Sequence, residues 1–466
     1  MKNIKFKLLA FVILAFGLQS CEDLLQIDPP SDQISSNIAF ADSMMITKQA
    51  EGIYAHNRSN PGMCYYIPIF VSAITDELEH RDPSTFSFLY TNNYNARSTF
   101  LINNTWTYLY ESIYISNSFI DNMAQTGNII SEERKALYNA DARFFRAYAH
   151  LSLAMLYDNV PYITTSDPNV TKTIGQTPKK EVIENVAEEL RQIEIILDKS
   201  SFKRNNAYIS VHAVRALLSR IYLYQEKWNE SKDMASKVIN ESGASLGPLA
   251  DVFIRNNKGT IFRLSTKYTG GTSYNGYTQY GLYITATNYS YVTPELANSF
   301  EEGDLRKSWI SIHKSYNEAT GDPRRKYRLN KYLLRTASAV QAGREEDYIM
   351  IRLAEILLNR AEANINLGNF AEARTDINAV RTRAGLDDIT TNDVDELRKV
   401  LYHERRIELC CEDAFRWYDI IRWGIIDEEF AKLPTKTTWT KSKEILPIPY
   451  DEIGNNHNLV QNPGYQ

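Results

Sequence analysis

Apolar residues recur at three- and four-residue spacing over most of the chain. That spacing predicts amphipathic helices at 98–126, 131–158, 178–199, 210–225, 228–240, 349–367, 369–383 and 393–411. In the fourth of these, Val211, Val214, Leu218, Ile221 and Tyr222 fall on one stripe. Punctuating residues agree: Ser131 precedes Glu133, Pro178 takes a first-turn position, and Gly368 and Gly385 stand where helices end. Two stretches break the period. Residues 57–97 and 241–344 read as irregular and aromatic, and within the second "FIRNNKGTIFRLSTKY" and "RKYRLNKYLLR" alternate as short strands do. The pattern predicts a mainly all-α fold with a few short β-strands. Its helical scaffold spans 37–56, 98–240 and 345–430, and two loop-rich insertions, 57–97 and 241–344, are the natural carriers of function.

Two helix pairs share a layout. "LLSRIYLYQEKWNESKDMASKVI" (217–239) and "LLNRAEANINLGNFAEARTDINAV" (357–380) both run helix, tight turn, aromatic, helix. A small residue in each (Ser219, Ala361) lets two helices approach, and an aromatic past the turn (Trp228, Phe370) plugs between them. This pattern resembles the tetratricopeptide repeat, whose hairpins stack into a curved superhelix. The two units lie about 140 residues apart, which excludes a simple tandem array.

The N-terminus changes the picture of where the chain works. Lys2, Lys5 and Lys7 precede an apolar run from Leu8 to Leu18, the length of a secretory signal and too short to span a bilayer. Leu18-Gln19-Ser20-Cys21 resembles the bacterial lipobox, with Gln19 where a small or β-branched residue is usual. Residues 1–20 are thus expected to be a signal peptide and 21–466 the mature domain, lipidated at Cys21. Two or three acyl chains, at about 0.8 kcal/mol per buried methylene, would anchor it firmly. Loss of three lysines and no acid takes the formal charge from -5 to -8, and with no basic block the chain is a poor nucleic-acid binder. Cys64, Cys410 and Cys411 show no framework spacing and are expected as buried free thiols.

Catalytic signatures are missing. No His-Glu-x-x-His or phosphate-loop pattern occurs, the one Gly-x-Ser-x-Gly match (243–247) lies in the irregular 241–344 stretch rather than between a strand and a helix, and the seven histidines lack ligand spacing. Adjacent acids do occur at Asp76-Glu77, Glu301-Glu302 and Glu345-Glu346-Asp347. A glycoside hydrolase needs two carboxylates about 5–10 Å apart across a cleft, so that reading stays as a remote alternative. The charged block Glu404 to Arg422 interleaves with Ile407, Leu409, Phe415, Trp417 and Ile420, and is expected to fix helix packing.

Several motifs, taken together, resemble one family. "WTYLYESIYISNSFIDNM" (106–123), "DARFFRAYAHLSLAMLYDNVPY" (141–162), "SFEEGDLRKSWI" (299–310), "YIMIRLAEILLNRAEA" (348–363), "ERRIELCCEDAFRWYDIIRWG" (404–424) and "LPIPYDEIGNNHNLVQNPGY" (446–465) are similar to the SusD/RagB family of outer-membrane lipoproteins. The resemblance implies a single SusD-like domain on a tetratricopeptide-type scaffold. It also implies a non-enzymatic, cell-surface protein that captures an oligosaccharide or polysaccharide for a SusC-like TonB-dependent β-barrel transporter. Glu22-Asp23 resembles the acidic tag that sends such lipoproteins to the outer face of the outer membrane. No cofactor or metal is implied, and a peptide-binding, RagB-like role is the alternative.

The aromatic insertions are the expected ligand face. Seven tyrosines fall between Tyr268 and Tyr291, separated by Gly, Thr, Ser and Asn rather than by core residues. Tyrosine stacks on a sugar's C–H face and hydrogen-bonds its rim at low entropy cost. The candidates are Tyr274, Tyr277, Tyr280 and Tyr283 in one cluster and Tyr65, Tyr66, Arg81, Tyr90, Asn92, Asn93 and Tyr94 in the other. Ligand contact, transporter contact and internal packing are all open to them.

Overall fold

The structure is a computed structural model, and it describes residues 36–59, 62–80, 83–265, 290–313, 316–331 and 343–465. The chain divides into two compact units, Met1–Gln49 and Ala50–Gln466. In the first, a short helix at Ser36–Ala39 precedes Asp42, whose carboxylate accepts the N–H groups of Met44 and Met45 at 2.8 Å each. That cap starts α1 (Ser43–Ser59), which runs on into the second unit.

The second unit is mainly helical with a few short strands, as the periodicity predicts. Its longer helices are α2 (Pro83–Tyr90), α3 (Asn104–Met123), α4 (Glu132–Tyr157), α5 (Lys179–Lys199), α6 (Val211–Tyr224), α7 (Trp228–Glu241), α8 (Leu353–Asn366), α9 (Phe370–Arg383), α10 (Val394–Glu408) and α11 (Phe415–Arg422). A short α12 (Tyr450–Asn455) lies near the C-terminus. Local chemistry sets their limits. Ser131 and Ser210 accept the backbone N–H of Arg134 and Ala213, starting α4 and α6, while Asp393 accepts two N–H groups at the start of α10.

Both sequence-alike pairs are packed helix hairpins, α6 with α7 and α8 with α9. In the first, Ser219 and Ser231 are fully buried and Ser231 Oγ donates to the Ser219 carbonyl at 2.9 Å, a close approach that only small residues permit. In the second, Ala361 and Ala373 meet in the same way, and Gly368 reverses the chain at φ +78°. The hairpins are neighbours in space, because α7 packs on α8 across the long sequence gap. Leu353, Leu357, Leu358 and Ile365 of α8, Ile377 and Val380 of α9, and Leu397 and Leu401 of α10 form one core there. Each such side chain contributes roughly 1.5–3 kcal/mol on burial.

Two expectations are corrected. The helix anticipated at 349–367 starts only at Leu353, because Tyr348–Arg352 is a strand. The stretch 57–97 is largely helical: Gly62–Val71 is a wide, π-type helix with all ten residues buried, and α2 follows. Its run of Met, Cys, Tyr, Ile, Phe and Val is apolar all round, which places it inside.

The strands are β1 (Leu78–His80), β2 (Thr260–Leu264), β3 (Ser290–Val292), β4 (Ile310–Ile312), β5 (Tyr327–Leu329) and β6 (Tyr348–Arg352). β2 pairs with β6, and the other four form an antiparallel sheet in the order β1-β3-β5-β4.

Candidate functional site

The four-stranded sheet joins the two aromatic insertions. Glu79 of β1 stands opposite Tyr291 of β3, Val292 opposite Tyr327 of β5, and Ser311 of β4 opposite Arg328. Side chains alternate along strands, so Glu79, Tyr291, Arg328 and Ser311 form one row across a single face. The same register aligns His80, Ser290 and Leu329 at one edge. Three stretches outside the described residues attach at that edge: 81–82 after β1, 266–289 before β3, and 332–342 just after β5. Two of them carry sequence-predicted ligand residues, Arg81 in the first and Tyr274, Tyr277, Tyr280 and Tyr283 in the second. All five lie outside the described residues.

Charge and aromatic groups flank the row. Arg324 pairs with Glu79 and reaches Glu295 at 3.6 Å. Tyr90, half-buried on α2, feels the same charges; burial first, and then Glu79, raise its hydroxyl pKa. Tyr291 packs edge-on against His313 at 5.7 Å. Lys326 lies over both Tyr316 and Tyr327, 5.6 and 5.4 Å from the ring centroids. Arg328, next to Tyr291 in the row, has its Nε buried without a hydrogen-bond partner among the described residues. Such an arrangement can hold a polyhydroxylated ligand by hydrogen bonds and ring contacts. Tyr316, Lys326, Tyr327 and Arg328 were not among the sequence candidates. The alternation of Tyr and Arg in "RKYRLNKYLLR" was the available signal.

The remaining sequence candidates divide. Tyr65 and Tyr66 are 4% and 8% exposed inside the Gly62–Val71 helix. Tyr66 stacks on Phe70 and Tyr108 at 5.3 and 5.5 Å, and its hydroxyl accepts from Asn104 Nδ2 at 2.8 Å. Asn92 is fully buried at φ +56°, the turn after α2, and its side chain donates to the Ile74 carbonyl. Tyr94 is buried, stacks on Tyr465 and donates to the Lys443 carbonyl at 2.7 Å, tying the C-terminal segment down. These four side chains sit in the interior. Asn93 is exposed and Tyr90 half-buried.

The charged C-terminal block forms a buried ion-pair network. Arg405 grips Asp419 through two bonds of 2.7 and 3.1 Å, and Arg352 does the same to Glu412 at 2.7 and 2.9 Å. Arg416 and Arg406 both reach Asp76. Burial alone would raise the Asp76 carboxyl, yet these two guanidinium groups hold it well below the usual carboxylate range. Its neighbour Glu77 has no such partner. Burial first, then Cys410 and Asp76, push its pKa up to about 8, while it accepts from the Cys411 N–H and the Ser72 hydroxyl.

The other acid pairs are committed as well. Glu301 binds Arg381 at 2.7 Å, Glu345 binds Arg255, and Asp347 binds Arg255 and Arg263. Among the described residues, no three His, Cys, Asp or Glu side chains could hold a metal ion. Cys64, Cys410 and Cys411 are buried free thiols, in line with their spacing.

Comparison with known proteins fits this architecture. Residues 262–465 match the model described as the SusD family, and residues 23–223 match one described as starch-binding associating with outer membrane. SusD-like protein P2 of Formosa agariphila is 29% identical over 413 residues, covering 77% of this chain and 80% of that protein. SusD-like protein P25 of the same organism is 25% identical over 531 residues, covering 98% and 99%. Among solved structures, a SusD superfamily protein of Bacteroides vulgatus aligns with a TM-score of 0.76 at 18% identity, over 91% of this chain and 100% of that one. A laminarin-binding SusD-like protein aligns with a TM-score of 0.76 at 22% identity, over 91% and 100%.

Proposed function

The chain belongs to the SusD-like family, and on that premise we propose that it is a non-enzymatic lipoprotein capturing a glycan at the cell surface. In this reading Cys21 carries the lipid, residues 21–466 act as one domain, and the partner is a SusC-like TonB-dependent barrel that takes up the captured glycan. The helical hairpins serve as a tetratricopeptide-like scaffold for the binding face.

The observation that carries the proposal is that His80, Ser290 and Leu329, the strand ends nearest in sequence to residues 81–82, 266–289 and 332–342, align along one edge of the β1-β3-β5-β4 sheet. Tyr274, Tyr277, Tyr280, Tyr283 and Arg81 would meet there with Tyr90, Asn93 and the Glu79–Tyr291–Arg328 row. Aromatic rings interleaved with amide, guanidinium and hydroxyl groups suit a sugar, whose rings have an apolar face and a polar rim. The laminarin-binding relative and the starch-binding family description favour the same ligand class. Pairing of the Asp76, Glu301, Glu345 and Asp347 carboxylates with arginines favours binding over hydrolysis. Capture for transport requires only modest affinity, since a ligand held too tightly is not released to the barrel.

A glycan array with a peptide library alongside tests the reading. Replacing Tyr274, Tyr277 and Tyr280 together by Ala is expected to abolish glycan capture while leaving the thermal unfolding curve in place. Glycan binding unchanged in that variant moves the site elsewhere. Binding confined to peptides in the parent protein establishes the RagB-like role instead.

A further inference from the structure

A second pocket, of about 330 Å³, lies between α3, the chain following α4 and α12, and none of the sheet-row residues lines it. One wall is apolar and aromatic: the Trp106 and Tyr110 rings meet at 4.8 Å, with Ile163 and Leu459 beside them. The Tyr110 hydroxyl donates to the Pro161 carbonyl at 2.9 Å, which fixes its ring as part of that wall. Trp106 is 3% exposed, and its indole N–H donates to no group among the described residues. Elsewhere Trp423 and Trp439 donate to carboxylates, whereas the unpaired indole nitrogens of Trp309 and Trp417 are sealed in. Trp106 is itself one of the residues lining the pocket.

The facing wall offers Glu452, Asn455 and Lys172. None of the three makes an ion pair or side-chain hydrogen bond among the described residues. Burial raises the Glu452 carboxyl pKa, and its oxygens are open to accept from a ligand hydroxyl. An apolar wall facing a fixed donor, an acceptor and an amide matches one sugar ring better than an extended chain.

We propose that this pocket is a second saccharide subsite that takes a single neutral pyranose unit, with its C–H face on Tyr110 and its hydroxyls on Trp106 Nε1, Glu452 and Asn455. The ligand class rests on the glycan reading above, but the residues are independent of it. Two such sites on one chain would let a long glycan be held at two points, raising avidity without tightening either contact.

The test uses full-length protein in detergent, with D-glucose, D-galactose and D-mannose as probes in saturation-transfer NMR. At least one is expected to bind. Trp106→Phe, which keeps the ring and removes the donor, should weaken it roughly fivefold to tenfold, as loss of one hydrogen bond predicts. Glu452→Ala should do the same. Saturation transfer from none of the three sugars overturns the proposal, as does a signal indifferent to both Trp106→Phe and Glu452→Ala. Phenylalanine binding in place of the sugars would reassign the pocket to an amino-acid ligand. The pocket variants and the triple tyrosine variant change different residues, so failure here is distinguishable from failure of the sheet-edge site.

Discussion

Two sets of tyrosines in this molecule have similar composition and opposite fates. Tyr65 and Tyr66 pack among Phe70, Phe86 and Tyr108 in the interior, where every ring meets another ring. Tyr90, Tyr316 and Tyr327 lie around the four-stranded sheet beside Arg324 and Lys326 and remain partly open to solvent. What separates them is the company each keeps along the chain. The inner pair is followed by Ile-Pro-Ile-Phe-Val and the outer set is interleaved with Lys, Arg and Asn. Tyrosine count therefore says little about a binding face. The polarity of the adjacent residues separates these two sets, whereas Tyr94, flanked by Asn93 and Asn95, is buried through its long-range bond to the Lys443 carbonyl.

The comparison breaks if the two sets respond alike to substitution. Tyr66→Ala leaves a cavity between Phe70 and Tyr108 and strands the Asn104 amide, so it should cost about 3 kcal/mol in urea-unfolding free energy. A loss under 1 kcal/mol would show that the inner ring cluster is not the packing unit described.

Glu77, between the inner helix and β1, sharpens the contrast through pH. Its folded pKa of about 8 lies above the unfolded value of 4.5, so the folded state binds the extra proton. The stability tied to that proton is complete below pH 4.5 and is lost as pH rises towards 8. Wild type should thus lose roughly 2 kcal/mol relative to Glu77→Gln between pH 5 and pH 7. Parallel stability curves for the two proteins would contradict the burial argument.

The smallest stability effect belongs to the outer set. Tyr90→Ala is expected to shift unfolding by less than about 0.5 kcal/mol. It should weaken glycan binding at the sheet edge severalfold, as titration calorimetry with the array's best ligand would show. The opposite pattern, a destabilised protein that binds normally, would place Tyr90 with the inner set.

Much of the fold could be read before the structure. The starts of α4 and α5 and the turn between α8 and α9 follow from Ser131, Pro178 and Gly368, because capping and left-handed turns act locally. The helical character of Gly62–Val71 was hidden, since a segment apolar on all sides has no period to detect. The start of α8 was misplaced because "YIMIR" adjoins a genuine helix, and only pairing with Thr260–Leu264 makes it a strand. For the proposed site, the sequence pointed to two regions, and the sorting of their side chains between surface and interior was not legible. Burial of Asn92 and Tyr94 depends on Lys443 and Tyr465, some 350 residues downstream, which no local pattern reports.

The β1–β3 pairing has a kinetic consequence. Glu79 and Tyr291 are partners across more than 200 residues, so closing that loop costs roughly 5 kcal/mol of chain entropy before any contact repays it. The helix hairpins close through turns of a few residues and face no such barrier. The four-stranded sheet is therefore expected to be the last part of the molecule to form. Pulse-labelled hydrogen exchange should show the amides of α6 to α9 protected well before those of Ser290 to Val292.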